Sequence, residues 1–110
     1  VAVDKRSGNI LVNDRIRLVL YNSAGTTILK RLNLSFLAYN LDFGPTGNIF
    51  VVNRNENTVY VYDSNLTYIG KYRGTVPDAW RVGIGADTVV WVTQFRLTNK
   101  VMKITCMQGI

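Results

Sequence analysis

The sequence contains no histidine and one cysteine, Cys106. Without an imidazole, neither a Ser-His-Asp triad nor a Cys-His pair can be assembled within the chain. Zinc sites built from histidine and cysteine are excluded as well. A single thiol makes no internal disulfide, and Cys106 reads either as a small buried hydrophobe or as half of an intermolecular bridge. Acidic side chains are few: 7 Asp and Glu against 13 Lys and Arg, a net charge of +6. No run of about 18 apolar residues occurs, so no membrane span is expected. These residues contain no stretch that reads as a signal peptide, and a chain beginning at Val1 rather than Met is expected to be processed or excised. A sustained 3.6-residue apolar stripe is also missing, so little helix is expected.

What remains is a chain of 110 residues, 47% hydrophobic and 18% charged, the composition of one ordinary globular unit. Its basic balance favours acidic partners such as nucleic acid, anionic lipid or acidic protein. Spread along the chain rather than gathered in a block, the same residues also serve as solubilising surface that blunts strand edges.

The most informative stretch runs from Tyr39 to Tyr72. Tyr39 to Phe43, Ile49 to Asn53, Thr58 to Asp63 and Thr67 to Tyr72 read as four short strands. Gly44-Pro45-Thr46-Gly47 and Ser64-Asn65 punctuate them as turns. Alternation in the third strand places Val59 and Val61 on one face and Tyr60 and Tyr62 on the other. The same order of parts appears earlier, in Val1 to Asp4, Asn9 to Asn13, Arg17 to Tyr21 and Thr26 to Leu32. Gly8-Asn9-Ile10 returns as Gly47-Asn48-Ile49, and Val19-Leu20-Tyr21-Asn22-Ser23 as Tyr60-Val61-Tyr62-Asp63-Ser64. A third, more degenerate copy begins near Arg81, continues through Thr88 to Thr93, and reaches Lys100 to Thr105. Too few residues follow Cys106 for a turn and a full fourth strand.

A period of about 40 residues with four strands per unit is the signature of β-propeller blades. The expected architecture is all-β: four-stranded antiparallel meanders, about three blades, as a partial ring. The blade-like repeats span about 1–34, 37–73 and 79–110 within a single segment of 1–110, the last incomplete. A β-sandwich competes with this reading, but nothing in a sandwich requires the same turn after the same strand. The unit L-D-F-G-P-T-G-N-I-F-V-V-N…T-V-Y-V-Y-D-S resembles an NHL-type propeller repeat and is also similar to blades of gluconolactonase-like propellers. The resemblance covers nearly the whole chain. It implies a propeller and leaves the function open, because such folds host enzymes, lectins, RNA binders and scaffolds. Rings close with four to eight blades, so the chain departs from the pattern in having three. Either two copies close one six-bladed ring, or the chain is part of a longer propeller, with an open solenoid-like arc as the less favoured arrangement.

In such a blade, the loops joining strands two and three share one face with the connections between blades. Here those loops are Asn13-Asp14-Arg15, Asn53 to Asn57 and Thr93 to Asn99, and each carries an arginine: Arg15, Arg54 and Arg96. The connections add Asn33, Tyr39, Arg73, Trp80 and Arg81. Arginine forks match phosphate or carboxylate, and Phe95 or Trp80 would stack a base or a sugar. The competing reading packs Trp80 between blades and leaves the arginines in solvent. Trp91, Val89, Val51 and Ile49 are assigned to packing between blades, and Tyr60 and Tyr62 to the groove between sheets. Asp4 and Asp42 end equivalent strands and are expected to cap their own turns through backbone N–H groups. Around a ring axis they would also approach Gly85, but calcium needs 6–8 oxygen ligands. Gluconolactonase-like enzymes, by resemblance, use carboxylates and asparagines around a central divalent ion. Asp42 and Asn53 would contribute to such a set only if a second chain completed the ring.

The expected function is therefore a non-catalytic binding or interaction module with no cofactor and no metal. Its candidate site is the loop face with Arg15, Arg54, Arg73, Trp80, Arg81, Phe95 and Arg96. Self-association, or the remainder of a longer propeller, would cover the ends, and a protein, RNA or other polyanion, or glycan would be the ligand. The alternatives are a lectin and a metal-dependent lactonase-like hydrolase. Two glycosylation sequons, Asn33-Leu34-Ser35 and Asn65-Leu66-Thr67, together with the missing initiator Met, lean toward an extracellular origin without fixing a compartment.

Overall fold

The computed structural model describes residues 1–72, 79–85, 90–94, 101–104 and 107–108, with the backbone alone at 80, 94, 101–104 and 107–108. The described residues form strands, turns and bends with no helix. Strands β1 (Ala2–Val3), β2 (Ile10–Asn13), β3 (Arg17–Tyr21) and β4 (Ile28–Asn33) pair in sequence order as one antiparallel sheet. A second sheet follows from β5 (Ala38–Phe43), β6 (Ile49–Asn53), β7 (Thr58–Tyr62) and β8 (Tyr68–Tyr72). A third contains β9 (Ala79–Ile84), β10 (Val90–Gln94) and β11 (Val101–Ile104). The last pair, β12 (Met107–Gln108), does not join the third sheet. It pairs antiparallel with the outer strand of the second, Met107 opposite Tyr72.

Register shows why the sequence repeats. The first-to-second strand pairing sets Val3 opposite Ile10, Phe43 opposite Ile49 and Ile84 opposite Val90. Ile10, Ile49 and Val90 are thus equivalent, as are Leu11, Phe50 and Trp91. The shared glycine has a conformational cause: Gly8 and Gly47 both adopt positive φ, +79° and +90°, where a Cβ is disfavoured. Each releases the chain from the same tight turn into the same second strand.

Packing follows the two-residue period of strands. Ile49 and Val51 face the first sheet, joining Leu11, Leu18, Leu20, Phe36, Leu41 and Tyr62 in one core. Phe50, Val52, Val59 and Val61 face the third sheet and meet Ala79, Val82, Val90 and Val92. The central sheet is therefore covered on both faces, and every residue of β6 is buried. Tyr60 and Tyr62 lie in the groove toward the first sheet, as the alternation of β7 predicts. Phe36 stacks on Tyr60 at 4.9 Å and Tyr68 on Tyr60 at 5.3 Å. Trp91, assigned in the sequence to packing between blades, is 43% exposed on the last of the three sheets. The odd-numbered face of β10 points away from the second sheet, and the chain supplies nothing described beyond it. Val89 lies outside the described residues.

Side chains also tie neighbouring sheets together. Arg6, in the first turn, donates through Nη1 to the carbonyl of Thr46 in the equivalent turn of the second sheet. Asn40 Oδ1, on β5, accepts from the backbone N–H of Val82 on β9 at 3.0 Å.

Candidate functional site

Three segments meet at one end of the first and second sheets. The first is the β2–β3 loop, where Arg15 takes a left-handed conformation at φ 55°. Asp14 and Arg17 form an exposed ion pair of 2.7 Å across this loop. The second segment is the connection from β4 to β5. Its Leu34 N–H donates to Ile16 O (2.7 Å) and its Ala38 N–H to Arg15 O (2.6 Å), so the connection lies along the loop. Asn13 Nδ2 donates to Ala38 O at 2.8 Å from the other side. The third is the β6–β7 loop, whose Arg54 N–H donates to Leu37 O (3.0 Å) while Asn55 Oδ1 accepts from Leu37 N–H (2.7 Å).

The third loop is shaped from within by Asn53, which is fully buried. Its Oδ1 accepts from the N–H groups of Asn55 and Glu56, at 3.0 and 3.1 Å. Its Nδ2 donates to Glu56 Oε2 at 3.2 Å. An asparagine that satisfies its own loop in this way holds the arginine beside it in a defined place. The Arg54 guanidinium lies 5.7 Å from the centre of the Tyr39 ring, a cation–π contact, and donates to Asn57 Oδ1 at 3.4 Å. Tyr39 is 41% exposed, so its ring lies at the surface of this end of the sheets.

Between these segments lies an open cavity of about 280 Å³ lined by Asn13, Arg15, Ala38 and Tyr39. Asn13 Oδ1 is buried and has no hydrogen-bond partner among the described residues. Buried acceptors are rarely left unpaired; this one borders a cavity with a guanidinium and an aromatic face at its rim. The arrangement suits a ligand group that offers both a carboxylate or phosphate for arginine and a donor for the amide oxygen.

Of the arginines and aromatics singled out in the sequence, Arg15 and Arg54 are brought together here, and Arg81 is exposed on β9. The Arg81 N–H donates to Thr93 Oγ1 at 3.2 Å, near the end of β10 that leads into the third loop. Trp80 is on β9 by its backbone. Arg73, Phe95 and Arg96 lie outside the described residues. Tyr39 and Asn13 were visible only as members of a loop and a connection. The signal that would have raised them is the asparagine ending the second strand in both of the first two copies, Asn13 and Asn53.

The opposite end of the sheets carries a cavity of about 440 Å³ lined by Val3 to Arg6, Asp42 to Pro45, Ile84 and Gly85. Asp4 caps its turn as expected: Oδ1 accepts from Arg6 N–H at 2.9 Å and Oδ2 from the Ser7 hydroxyl at 3.1 Å. Asp42 differs, and among the described residues it accepts from the adjacent Phe43 N–H at 2.8 Å. Asp42 pairs with Phe50, and Asn53 with Ala38 at the far end of the same ladder. The two cannot ligate one ion, and Asn53 is committed to its loop. Among the described residues no group of three His, Cys, Asp or Glu side chains is placed to hold a metal. At the loop face itself the β6–β7 loop carries an acid: the Glu56 carboxyl, held below its ordinary value because Lys71 and Tyr60 donate to it, bridges Lys71 on β8 at 2.8 Å.

No family model matches the chain, and no curated protein matches it. Among solved structures, the crystal structure of the WD40 β-propeller domain of Doa1 superposes with a TM-score of 0.70 at 16% identity, over 89% of this chain. The chain spans about a third (33%) of the length of that solved chain. At that identity the likeness speaks to architecture alone: the chain folds as antiparallel β-propeller blades forming part of a ring.

Proposed function

We propose that the chain is a non-catalytic interaction module of NHL-like propeller blades, divided at about 1–34, 37–73 and 79–110, that binds a carboxylate-bearing protein partner on its loop face. The observation that carries this reading is the convergence of Arg15, Tyr39 and Arg54, supplied by three segments and fixed by backbone hydrogen bonds. Two guanidinium groups, the Tyr39 ring and the buried amide oxygen of Asn13 bring together at one end of the sheets the kinds of group that meet acidic side chains. Arg81 extends the same charge toward the third sheet, and Arg73, Trp80, Phe95 and Arg96 belong to this face in the sequence reading. The lactonase-like alternative has less behind it among the described residues: Asp4 is engaged in its own turn, and Asn53, which a central ion would use, is committed to its loop.

Binding of Asp/Glu-rich peptides and of oligo-uridine, followed by fluorescence anisotropy over a salt series, tests the proposal. Acidic peptides are expected to bind, and the Arg15→Ala/Arg54→Ala pair to weaken them by about tenfold or more, since a hydrogen bond to a charged group contributes about 1.5–3 kcal/mol. A steep salt slope with oligo-uridine and none of the peptide selectivity would make a nucleic acid the partner instead. Equal peptide binding by the wild type and the double variant would overturn the site.

A further inference from the structure

Two stretches of the sequence carry the acceptor pattern for an N-linked sugar, Asn33-Leu34-Ser35 and Asn65-Leu66-Thr67. The fold presents both in the same way. In each, the asparagine and the hydroxyl residue are exposed while the leucine between them turns inward. Leu66 belongs to the core between the first and second sheets, and Leu34 packs against that same core. The leucine anchors each stretch and leaves the other two residues on the solvent side. The backbone is held as well. Leu34 N–H donates to Ile16 O at 2.7 Å, and Asp63 Oδ1 accepts from the N–H groups of Asn65 and Thr67, both at 2.9 Å. Asn13, Asn22, Asn40, Asn53 and Asn55 spend their amides on the fold. Among the described residues no hydrogen bond engages the side chain of Asn33 or Asn65. Asn33 also borders an open cavity of about 350 Å³, together with Ser35, Phe36, Tyr60, Tyr62 and Tyr68. Tyr60 and Tyr62 lie 5.3 and 5.7 Å from the Tyr68 ring, and Tyr68 itself is 46% exposed.

We infer that Asn33 and Asn65 are N-glycosylation acceptors, and that the first sugar on Asn33 seats in the cavity beside it, against Tyr68. The sugar would come from a polyprenyl-diphosphate-linked oligosaccharide, transferred by an oligosaccharyltransferase of the secretory route. Asparagine Nδ2 forms a bond to the anomeric carbon as the bond from that carbon to the diphosphate breaks. The diphosphate leaves with the electron pair, and Nδ2 gives up one proton to a base of the transferase. Nothing is oxidised or reduced. A pyranose ring has an apolar C–H face and a hydroxylated rim. The C–H face suits the electron-rich face of a tyrosine, while the rim stays in water. The cavity volume falls within the range of small-molecule sites. The covalent link holds the sugar at the edge of the cavity, so seating it is an intramolecular event favoured by a high effective concentration. Two adjacent sheets within the chain build this cavity, and it does not depend on the ends of the series. Asn65 is not among its residues, so the sugar there is expected to stand in solvent.

Peptide mapping of the protein from the cells that make it tests the acceptor sites. Enzymatic release of N-glycans in heavy-oxygen water converts each occupied asparagine to a labelled aspartate, and labels are expected at Asn33 and Asn65. An unlabelled residue would overturn its assignment as an acceptor. Thermal unfolding of the glycosylated protein, followed by circular dichroism, tests the seat. Ser35→Ala removes the acceptor pattern at Asn33 and leaves the asparagine in place. It is expected to lower the midpoint by about 4 °C, the shift of a contact as strong as an aromatic pair. The same substitution in unglycosylated protein made in bacteria should leave the midpoint unchanged. In a Tyr68→Ala background the loss on Ser35→Ala should vanish. An equal loss with and without the sugar, or a loss that persists without Tyr68, would overturn the seat. Should Tyr68→Ala fail to fold, trimming the glycans to a single N-acetylglucosamine decides: the midpoint is expected to hold, and a fall would place the contact further along the glycan.

Discussion

Tyr62 and Tyr72 are buried and Tyr60 is half-buried against Phe36, and this makes the protein sensitive to alkali. Burial raises all three phenols above their ordinary value, with Glu56 adding to the rise at Tyr60. Tyr62 is pushed up to about 12 by burial and by the neighbouring Tyr68. A raised phenol keeps its proton in the folded state after the unfolded chain has lost it. Above the ordinary value of 10.0 the unfolded state therefore binds fewer protons, and stability falls with rising pH until the folded phenols themselves ionise. Denaturation midpoints measured from neutral pH to pH 12 are expected to be flat below the ordinary phenol value and to decline above it, with phenolate absorbance rising together with unfolding. Tyr62→Phe should reduce that decline, and an unchanged slope would remove Tyr62 as its source. Glu56 acts in the opposite sense: its depressed carboxyl contributes above its unfolded value and loses that contribution as pH falls through the folded one.

Among the elements, the turn between the first two strands of each sheet decides where the second strand starts. Gly47 at φ +90° is the position where this requirement is sharpest. A Cβ there would stand 2.9 Å from Arg6 Nη1, the movable end of a long side chain, so the backbone conformation dominates the cost. Gly47→Ala is expected to destabilise by about 1–2 kcal/mol, the usual penalty for a left-handed non-glycine residue. Urea denaturation measures it, and the same loss in an Arg6→Ala background would identify strain rather than the clash. A variant as stable as the wild type would mean that the turn is not under this constraint. The same turns made the fold legible in the sequence, because glycine chemistry and two-residue alternation are local properties. Gly8-Asn9-Ile10 and Gly47-Asn48-Ile49 mark equivalent strands, and Val59 and Val61 against Tyr60 and Tyr62 give the two faces of β7 correctly. What the sequence did not reveal depends on distant partners. The alternation of β10 puts Trp91 on one face and Val90 and Val92 on the other, but only the arrangement of sheets says which face is covered. The loop face was legible as a list of arginines. Its construction, with Asn13 reaching Ala38 and Asn55 reaching Leu37, rests on contacts across 25 and 18 residues that no local pattern encodes.

At the scale of the whole molecule, a series of sheets in which each contacts only its neighbours has stability that varies along the series. The second sheet is covered on both sides, by Leu11, Leu18 and Leu20 on one and by Val82, Val90 and Val92 on the other. The outer faces of the first and third sheets are less covered by the described residues: Val12 and Val19 are half-buried and Trp91 is exposed. The outer strand β4 is exposed at Ile28 to Arg31, with little buried area to hold it. Local opening is easiest where few apolar contacts must be broken. Amide hydrogen exchange is therefore expected to be slowest in β6 and β7 and faster in β3 and β10, with β4 faster still. Uniform protection across the three sheets would show that they open as one unit and would remove the neighbour-by-neighbour description.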